Sequence, residues 1–352
     1  MLGAFAALLL SSSVTFACSC VASFGCPGLG GPAYPVFVGT VVQVIDLPPT
    51  STFSFLSSRK ARIRVSESFG GLAPDVAEID VLTGMGGGDC GIPFKPGETY
   101  VVHAFVSKDG LVHAGICSST RRIDEAGAAL RILRARRDGQ KVPSLAGQIV
   151  QRDRNFDGLL GAEASKALSN ALVRVRSEGR SYQTHANAEG LYAFYDLPGG
   201  RYEFAPELPQ GTTLSWYIGS DSPPGPFELK GSGCQERDIE VFASGSIQGR
   251  VLDSSKRALP HAFVYIIPAA LKVLPQERRQ LYWESQGKEG FFRFVHIPPG
   301  EYLVLVNPDD SQTADFPYRR TFHPGVHDRS AATVITVRAG EQIKDADIWL
   351  QQ

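Results

Sequence analysis

The chain has 352 residues, too many for one ordinary domain, and at roughly 150 residues per domain it divides into two or three. Apolar residues make up 43% and charged residues 20%, so it can bury cores and is neither a disordered tail nor a polytopic membrane protein. With 35 Lys+Arg against 36 Asp+Glu the net charge is -1, which removes the bulk attraction that non-specific nucleic-acid binding depends on, so no nucleic-acid partner is expected. Gly 37 and Pro 23 together are about a sixth of the chain, which suits many short strands joined by turns, and the expected class is all-β.

Residues 1–17 read as a secretory leader. From Leu2 to Ala17 every residue is apolar or small, although no Lys or Arg stands near Met1. Thr15-Phe16-Ala17 ends in a small residue suited to cleavage before Cys18, and no later apolar run reaches the roughly 18 residues of a membrane span. A lipid anchor on Cys18 would need an aliphatic residue where Thr15 stands and would leave five thiols. Six cysteines follow the leader, and an even number in an exported chain points to disulfides.

Between residues 18 and 141, Val36–Val44, Ala61–Val65, Glu78–Leu82, Tyr100–Val106 and Leu111–Ile116 read as strands. Ile123, Ala126, Leu130 and Leu133 then recur at helical spacing, which predicts a helix over Asp124–Arg136 with one apolar face. Five strands and a terminal helix describe an OB-like barrel. Cys18-Ser19-Cys20 at the mature start, Cys90-Gly91 in a loop and Cys117 before the helix make this region similar to the netrin-like module of tissue inhibitors of metalloproteinases. Phe37-Val-Gly-Thr-Val41 and Gly97-Glu-Thr-Tyr100-Val fit the same family. The resemblance implies disulfides Cys18 to Cys90 and Cys20 to Cys117. It also implies that an exposed Cys18 amine could chelate a metalloprotease zinc while Ser19 enters the specificity pocket. Ala22-Ser-Phe24-Gly25 departs from the inhibitors, and many netrin-like modules inhibit nothing. Cys26 and Cys234 either pair or both stay free.

Three features of this module invite a chemical reading. Arg121, Arg122, Arg131, Arg134, Arg136, Arg137 and Lys141 surround the predicted helix and could meet an anionic polysaccharide or lipid head group, although such runs are more often solvated helix faces. Gly84-Met-Gly-Gly-Gly88 lacks the Gly-Lys-Ser/Thr of a phosphate loop and reads as a loop held by Cys90. His103 and His113 flank a hairpin and are expected to face solvent or the barrel edge, and no zinc-peptidase His pair or serine-hydrolase elbow occurs, so no enzyme is expected.

The later chain repeats itself. A shift of 100 residues superimposes Gly190-Leu-Tyr-Ala-Phe-Tyr-Asp-Leu-Pro-Gly-Gly-Arg-Tyr202 on Gly290-Phe-Phe-Arg-Phe-Val-His-Ile-Pro-Pro-Gly-Glu-Tyr302. Each copy opens on Gly147-Gln-Ile-Val150 or Gly249-Arg-Val-Leu252 and continues with Ala171-Leu-Val-Arg-Val175 or Ala262-Phe-Val-Tyr-Ile266. These alternating runs predict two small β-sandwiches, over 142–243 and 244–352. The pattern G-x-V, A-x-V-x-V, G-x-Y-x-F, L-P-x-G-x-Y resembles carboxypeptidase regulatory-like, transthyretin-like domains and the B-type repeats of Gram-positive surface proteins, families that serve as spacers, stalks and binding modules. No Lys stands in the opening strand of the first copy and Lys256 lies beyond that of the second, so no Lys–Asn cross-link of the B-type kind is expected.

Asp153-Arg-Asn155-Phe-Asp157-Gly158 has calcium-loop spacing, with the Leu159 carbonyl and Glu163 as further ligands. Glu163 sits one residue before the usual bidentate position, so either a weak structural Ca²⁺ site or a metal-free Asp/Asn-rich turn is expected. No other cofactor is. Tyr318 and Phe322-His-Pro-Gly325 could touch sugar but suit core packing better. The sequence thus describes a secreted, periplasmic or cell-surface binding or spacer protein with a protein or polysaccharide partner. Behind it stand a metalloproteinase inhibitor and a carbohydrate-binding accessory protein.

Overall fold

The structure is a computed structural model that describes residues 26–48, 58–86, 89–155, 166–214, 225–231, 233–271, 281–286 and 288–351. Among the described residues it is β apart from one α-helix and three short 3-10 turns, and the chain divides into two units, Met1–Pro143 with Cys234–Glu236, and Ser144–Gly233 with Arg237–Gln352.

In the first unit the strands are β1 (Val36–Asp46), β2 (Arg59–Ser68), β3 (Glu78–Thr83), β4 (Thr99–His103), β5 (Phe105–Val106), β6 (Val112–His113) and β7 (Arg121–Arg122), followed by α1 (Gly127–Arg137). The order is β5-β6-β3-β2-β1-β4-β7. Only Ala104 separates β4 from β5, so the two sides of the sheet are one stretch of chain and the five long strand paths close into an OB-like barrel. Alternation along β1 sends Phe37 and Val41 inward against Ile63, Val81 and Val102. Val36 and Val38 face outward with Val101 and Phe69, and there Ala126, Leu130 and Leu133 cover them. The helical period was legible, but the α-helix starts at Gly127, because Ile123–Glu125 form a 3-10 turn first. The expected strand over Leu111–Ile116 shrinks to Val112–His113, since Ile116–Ser118 is a 3-10 turn.

The second unit holds two sandwiches. The first contains β8 (Leu145–Arg152), β9 (Lys166–Ala167), β10 (Leu172–Ser177), β11 (Arg180–His185), β12 (Leu191–Phe194), β13 (Gly200–Phe204), β14 (Thr212–Thr213) and β15 (Phe227–Leu229). The short β16 (Gln235–Glu236) belongs to the first unit, and β17 (Ile239–Ala243) closes this sandwich. One sheet runs β11-β10-β13-β15 and the other β12-β8-β17-β14, with β17 parallel to β8. The second sandwich contains β18 (Gly245–Asp253), β19 (Phe263–Pro268), β20 (Leu281–Glu284), β21 (Phe291–Ile297), β22 (Gly300–Val306), β23 (Thr321–Phe322), β24 (Ile335–Val337), β25 (Gln342–Ile343) and β26 (Ile348–Leu350). Its sheets are β21-β18-β25 and β20-β19-β22-β23, with β26 parallel to β18. Matching residues fill both cores, Val173, Val175, Tyr192 and Tyr202 in one and Val264, Ile266, Phe292 and Tyr302 in the other.

The repeat motif has a physical cause. Tyr202 donates its hydroxyl to the Pro198 carbonyl at 2.8 Å, and Tyr302 donates to Pro298 at 2.8 Å. Each buried ring thereby ties the start of a strand back to the turn that launches it, which is why Pro and Tyr stand four residues apart in both copies. Burial pushes the Tyr302 phenol up to about 12, so it remains a neutral donor. Tyr302→Phe leaves the Pro298 carbonyl without that donor and is expected to cost about 1–2 kcal/mol in denaturant unfolding; an unchanged midpoint would contradict this role.

Candidate functional site

The proposed inhibitory residues Cys18 and Ser19, and Cys20 with them, lie outside the described residues. Their expected partners Cys90 and Cys117 are both disulfide-bonded. Cys26 and Cys234 pair with each other, their Cα atoms 5.3 Å apart, and the Cys26 N–H donates to the Cys234 carbonyl at 3.1 Å. Arg121 adds an ion pair to Glu236, so two side chains and a backbone hydrogen bond hold Cys234–Glu236 in the first unit. At the glycine-rich loop Asp89 accepts the N–H groups of Met85, Gly86 and Gly91. Those donors face a carboxylate of the chain itself and are not left open as a phosphate cradle.

Four of the basic residues around α1, Arg121, Arg122, Arg134 and Arg137, make ion pairs. Arg134 and Arg137 both bind Glu67, at 2.7 and 2.6 Å, and Arg122 binds Asp124 at 2.9 Å. The hydrogen bond from Arg134 in particular holds the Glu67 carboxyl below its ordinary range. In OB-type folds, oligonucleotides and oligosaccharides bind across the second and third strands. Here that face carries a ladder of paired charges, with Arg62 at 2.9 Å and Lys60 at 3.1 Å from Asp80, and Arg64 at 3.3 Å from Glu78. A polyanion would have to displace these carboxylates.

One constellation resembles a hydrolase dyad, because Ser107 Oγ lies 3.1 Å from His113 Nε2. The single hydroxyl proton of Ser107 has the Asp109 carboxylate and the Leu111 carbonyl as acceptors, and the hydrogen bond to Asp109 is the main cause of that carboxyl lying below its ordinary range. A proton turned toward either of those acceptors does not point at His113 Nε2, whereas an activated serine needs the imidazole to accept it. His113 also stacks on Phe105, with ring centroids 5.2 Å apart. His113 is thus buried, at 7% exposure, and does not face solvent as expected, because it packs in the β5–β6 hairpin as a clasp.

Of the calcium-loop residues, Asp153 and Asn155 are described and exposed, while Asp157, Leu159 and Glu163 lie outside the described residues. Arg154 between them turns inward and is 8% exposed, so the alternation needed to put Asp153 and Asn155 on one side is present. The equivalent turn of the second copy supplies its own cation. Asp253 accepts the N–H groups of Ser255 and Arg257 at 2.8 and 2.9 Å, and the Arg257 guanidinium at 2.9 Å. Among the described residues no three His, Cys, Asp or Glu side chains converge to hold a metal. Tyr318 and Phe322 are buried in the second sandwich, as core packing requires.

Sequence reasoning missed the device that closes each sandwich. Asp238 accepts the Gln148 N–H at 2.8 Å, and Asp347 accepts the Arg250 N–H at 2.8 Å. Both precede an Ile at the start of the last strand, Asp238-Ile239 and Asp347-Ile348, and that dipeptide was the available signal. Opposite each stands the opening glycine. A Cβ on Gly147 would lie 1.7 Å from the Arg237 carbonyl oxygen, and one on Gly249 would lie 2.6 Å from Ala346.

The junction between the sandwiches is equally tight. Only Ser244 separates β17 from β18. Its N–H donates to Gly211 at 2.8 Å and its carbonyl accepts from Gly340 at 2.8 Å. Gly211 has φ +77, and a Cβ there would meet the Gly340 nitrogen at 2.4 Å. Arg154 completes the contact, donating to the His296 carbonyl at 2.6 Å with its guanidinium 5.0 Å from the Phe242 ring centroid. Burial pushes this guanidinium down to about 10.

No family model and no curated protein matches the chain. Among solved structures, the Bacillus anthracis TIE protein is 12% identical over 91% of this chain and 49% of its own, with a TM-score of 0.23. The chain thus spans about half the length of that protein. GBS52, the minor pilin of Streptococcus agalactiae, is 12% identical over 59% of this chain and 96% of its own, with a TM-score of 0.23. BcpA, the major pilin subunit of Bacillus cereus, is 10% identical over 58% and 99%, with a TM-score of 0.22. Superpositions this loose leave the functional reading to rest on the chain's own geometry. Among the described residues no helix is long and apolar enough to cross a membrane.

Proposed function

We propose that this chain is an exported, non-enzymatic binding and spacer protein of the cell surface or extracellular space, in which a netrin-like OB module is carried on a stiff pair of regulatory-like sandwiches. The observation that carries the reading is the one-residue junction at Ser244, braced by Gly211 against Gly340 and by Arg154 against His296. A flexible hinge needs free backbone torsions, and here the connecting residue has both its N–H and its carbonyl engaged. The apolar leader and the disulfide-bonded cysteines support export. Amide relaxation of the full chain should give the two sandwiches one shared rotational correlation time. Gly211→Ala, which forces a Cβ into Gly340, should separate the two values, and distinct values in the unaltered chain would refute the spacer role.

Three finer readings belong with this one. Pairing of Cys18 with Cys90 and of Cys20 with Cys117 would place the Cys18 amine where an inhibitor needs it, so removing one amino-terminal residue of the mature chain would abolish protease inhibition and leave adhesion intact. A polysaccharide partner would show on a sugar array. Calcium on Asp153, Asn155 and Asp157 would fill the role that Arg257 plays in the second copy, with weak affinity of about 10⁻⁴ to 10⁻³ M. Millimolar calcium should then raise the melting temperature, and Asp157→Ala should remove the rise; equal melting in chelator and in calcium would leave the loop as a turn.

A further inference from the structure

We propose that the cleft beside the turn between β21 and β22 is a docking site for a basic side chain, lysine or arginine, presented by a protein partner. The cleft encloses about 540 Å³, within the range of ligand-binding clefts, and is large enough for a few peptide residues. Pro268, Leu271, Pro298, Pro299 and Tyr302 line it together with Ala270 and Gly300, and its two polar side chains besides the tyrosine are Glu301 and Asn155.

The chemistry of this lining selects a donor with an apolar stem. Three of the wall residues are prolines and have no N–H to offer. Three neighbouring donors are already committed: the Ala269 N–H to the Glu301 carbonyl at 2.9 Å, the Leu271 N–H to Pro268 at 3.1 Å, and the Tyr302 hydroxyl to Pro298. The lining that remains is mostly ring and aliphatic surface, with the Glu301 carboxylate and the Asn155 amide as its polar groups. A lysine or arginine matches both, laying its methylene stem on the prolines and its charge on Glu301.

The first copy of the repeat serves as an internal control. There Arg201 occupies the place of Glu301 and faces Glu228 across the strands, and Gly199 occupies the place of Pro299. In the second copy the residue opposite Glu301 is Thr336, which is neutral. The exposed Glu301 carboxylate has no ion-pair partner among the described residues. The first copy thus sets a basic residue opposite an acidic one, whereas the second sets an acid, without an ion-pair partner among the described residues, opposite a neutral threonine and beside a proline wall. The site goes beyond the spacer reading and does not depend on the stiffness of the Ser244 junction.

The test is titration of the isotope-labelled full chain with two capped tripeptides, Ac-Leu-Lys-Pro-NH2 and Ac-Leu-Glu-Pro-NH2, followed by amide chemical shifts. The lysyl peptide should give saturable shifts at Ala270, Leu271 and Gly300, and the glutamyl peptide none. Glu301→Arg, which restores the residue type of the first copy, should weaken binding at least tenfold, and Glu301→Gln several-fold. Because Glu301 is exposed, shifts elsewhere should stay unchanged in both variants and show that the fold is intact. Absence of saturable shifts, equal response to the two peptides, or full affinity in Glu301→Arg would overturn the proposal.

Discussion

Gly147→Ala is expected to destabilise the second unit by about 3 kcal/mol or more, at the upper end of what overpacking costs. The new methyl carbon would sit 1.7 Å from the Arg237 carbonyl oxygen and 2.8 Å from the Tyr192 hydroxyl. Neither neighbour can step aside. Arg237 donates its N–H to Ala146 at 2.8 Å, and the next residue, Asp238, holds the Gln148 N–H, so the backbone is pinned on both sides of the clash. Tyr192 is 1% exposed and its hydroxyl donates to that same Arg237 carbonyl. Gly249→Ala should be costly for the same reason, against Ala346 and Phe292. Gly225→Ala is the matched control, since its Cβ would meet nothing within 4 Å. Denaturant midpoints for the three variants decide the matter, and a Gly147 variant as stable as the Gly225 variant would show that β8 and β17 do not run as close as described.

His103 should make the first unit acid-sensitive well above the pH at which carboxylates titrate. Burial first, and then the charge of Arg121, push this imidazole from its ordinary 6.5 down to about 4. Its Nε2 is buried and makes no hydrogen bond, Arg121 is its diagonal neighbour across β4 and β7, and Arg121 is itself paired with Glu236. A depressed histidine favours folding only while it is neutral. Stability is therefore full above about pH 6.5, falls as the pH drops toward 4, and for this group levels off below that. Between pH 7 and pH 5 the loss should be about 2 kcal/mol. Hydrogen exchange at the Val101 and Val102 amides reads it directly, and His103→Leu should flatten the profile. A profile unchanged by that substitution would place the sensitivity elsewhere.

The sandwiches were legible because their signals are local. Gly190 and Gly290, Tyr202 and Tyr302, and the Pro four residues before each Tyr keep a constant offset of 100 residues, and each acts within a few residues of itself. The closing aspartates were harder to see. The interval between Asp238 and Asp347 is 109 residues, because the second copy carries a longer loop before its last strands, and a fixed shift no longer aligns them. The barrel was readable from alternation along β1 to β4, whereas the short β5 to β6 closure carries too few residues to show a period. Arg154 read as a filler inside a calcium pattern. Its partner His296 stands 142 residues away, and nothing local marks a contact of that range.

Those long-range contacts at Ser244 are also what the account depends on most. Spin labels at Glu203 on the first sandwich and Arg293 on the second, both exposed, would report the separation of the sandwiches in the full chain by pulsed dipolar spectroscopy. A junction held by Ser244, Gly211, Gly340 and Arg154 predicts one distance with a spread no wider than the labels themselves, broadening in Gly211→Ala. A broad or two-peaked distribution in the unaltered chain would contradict it.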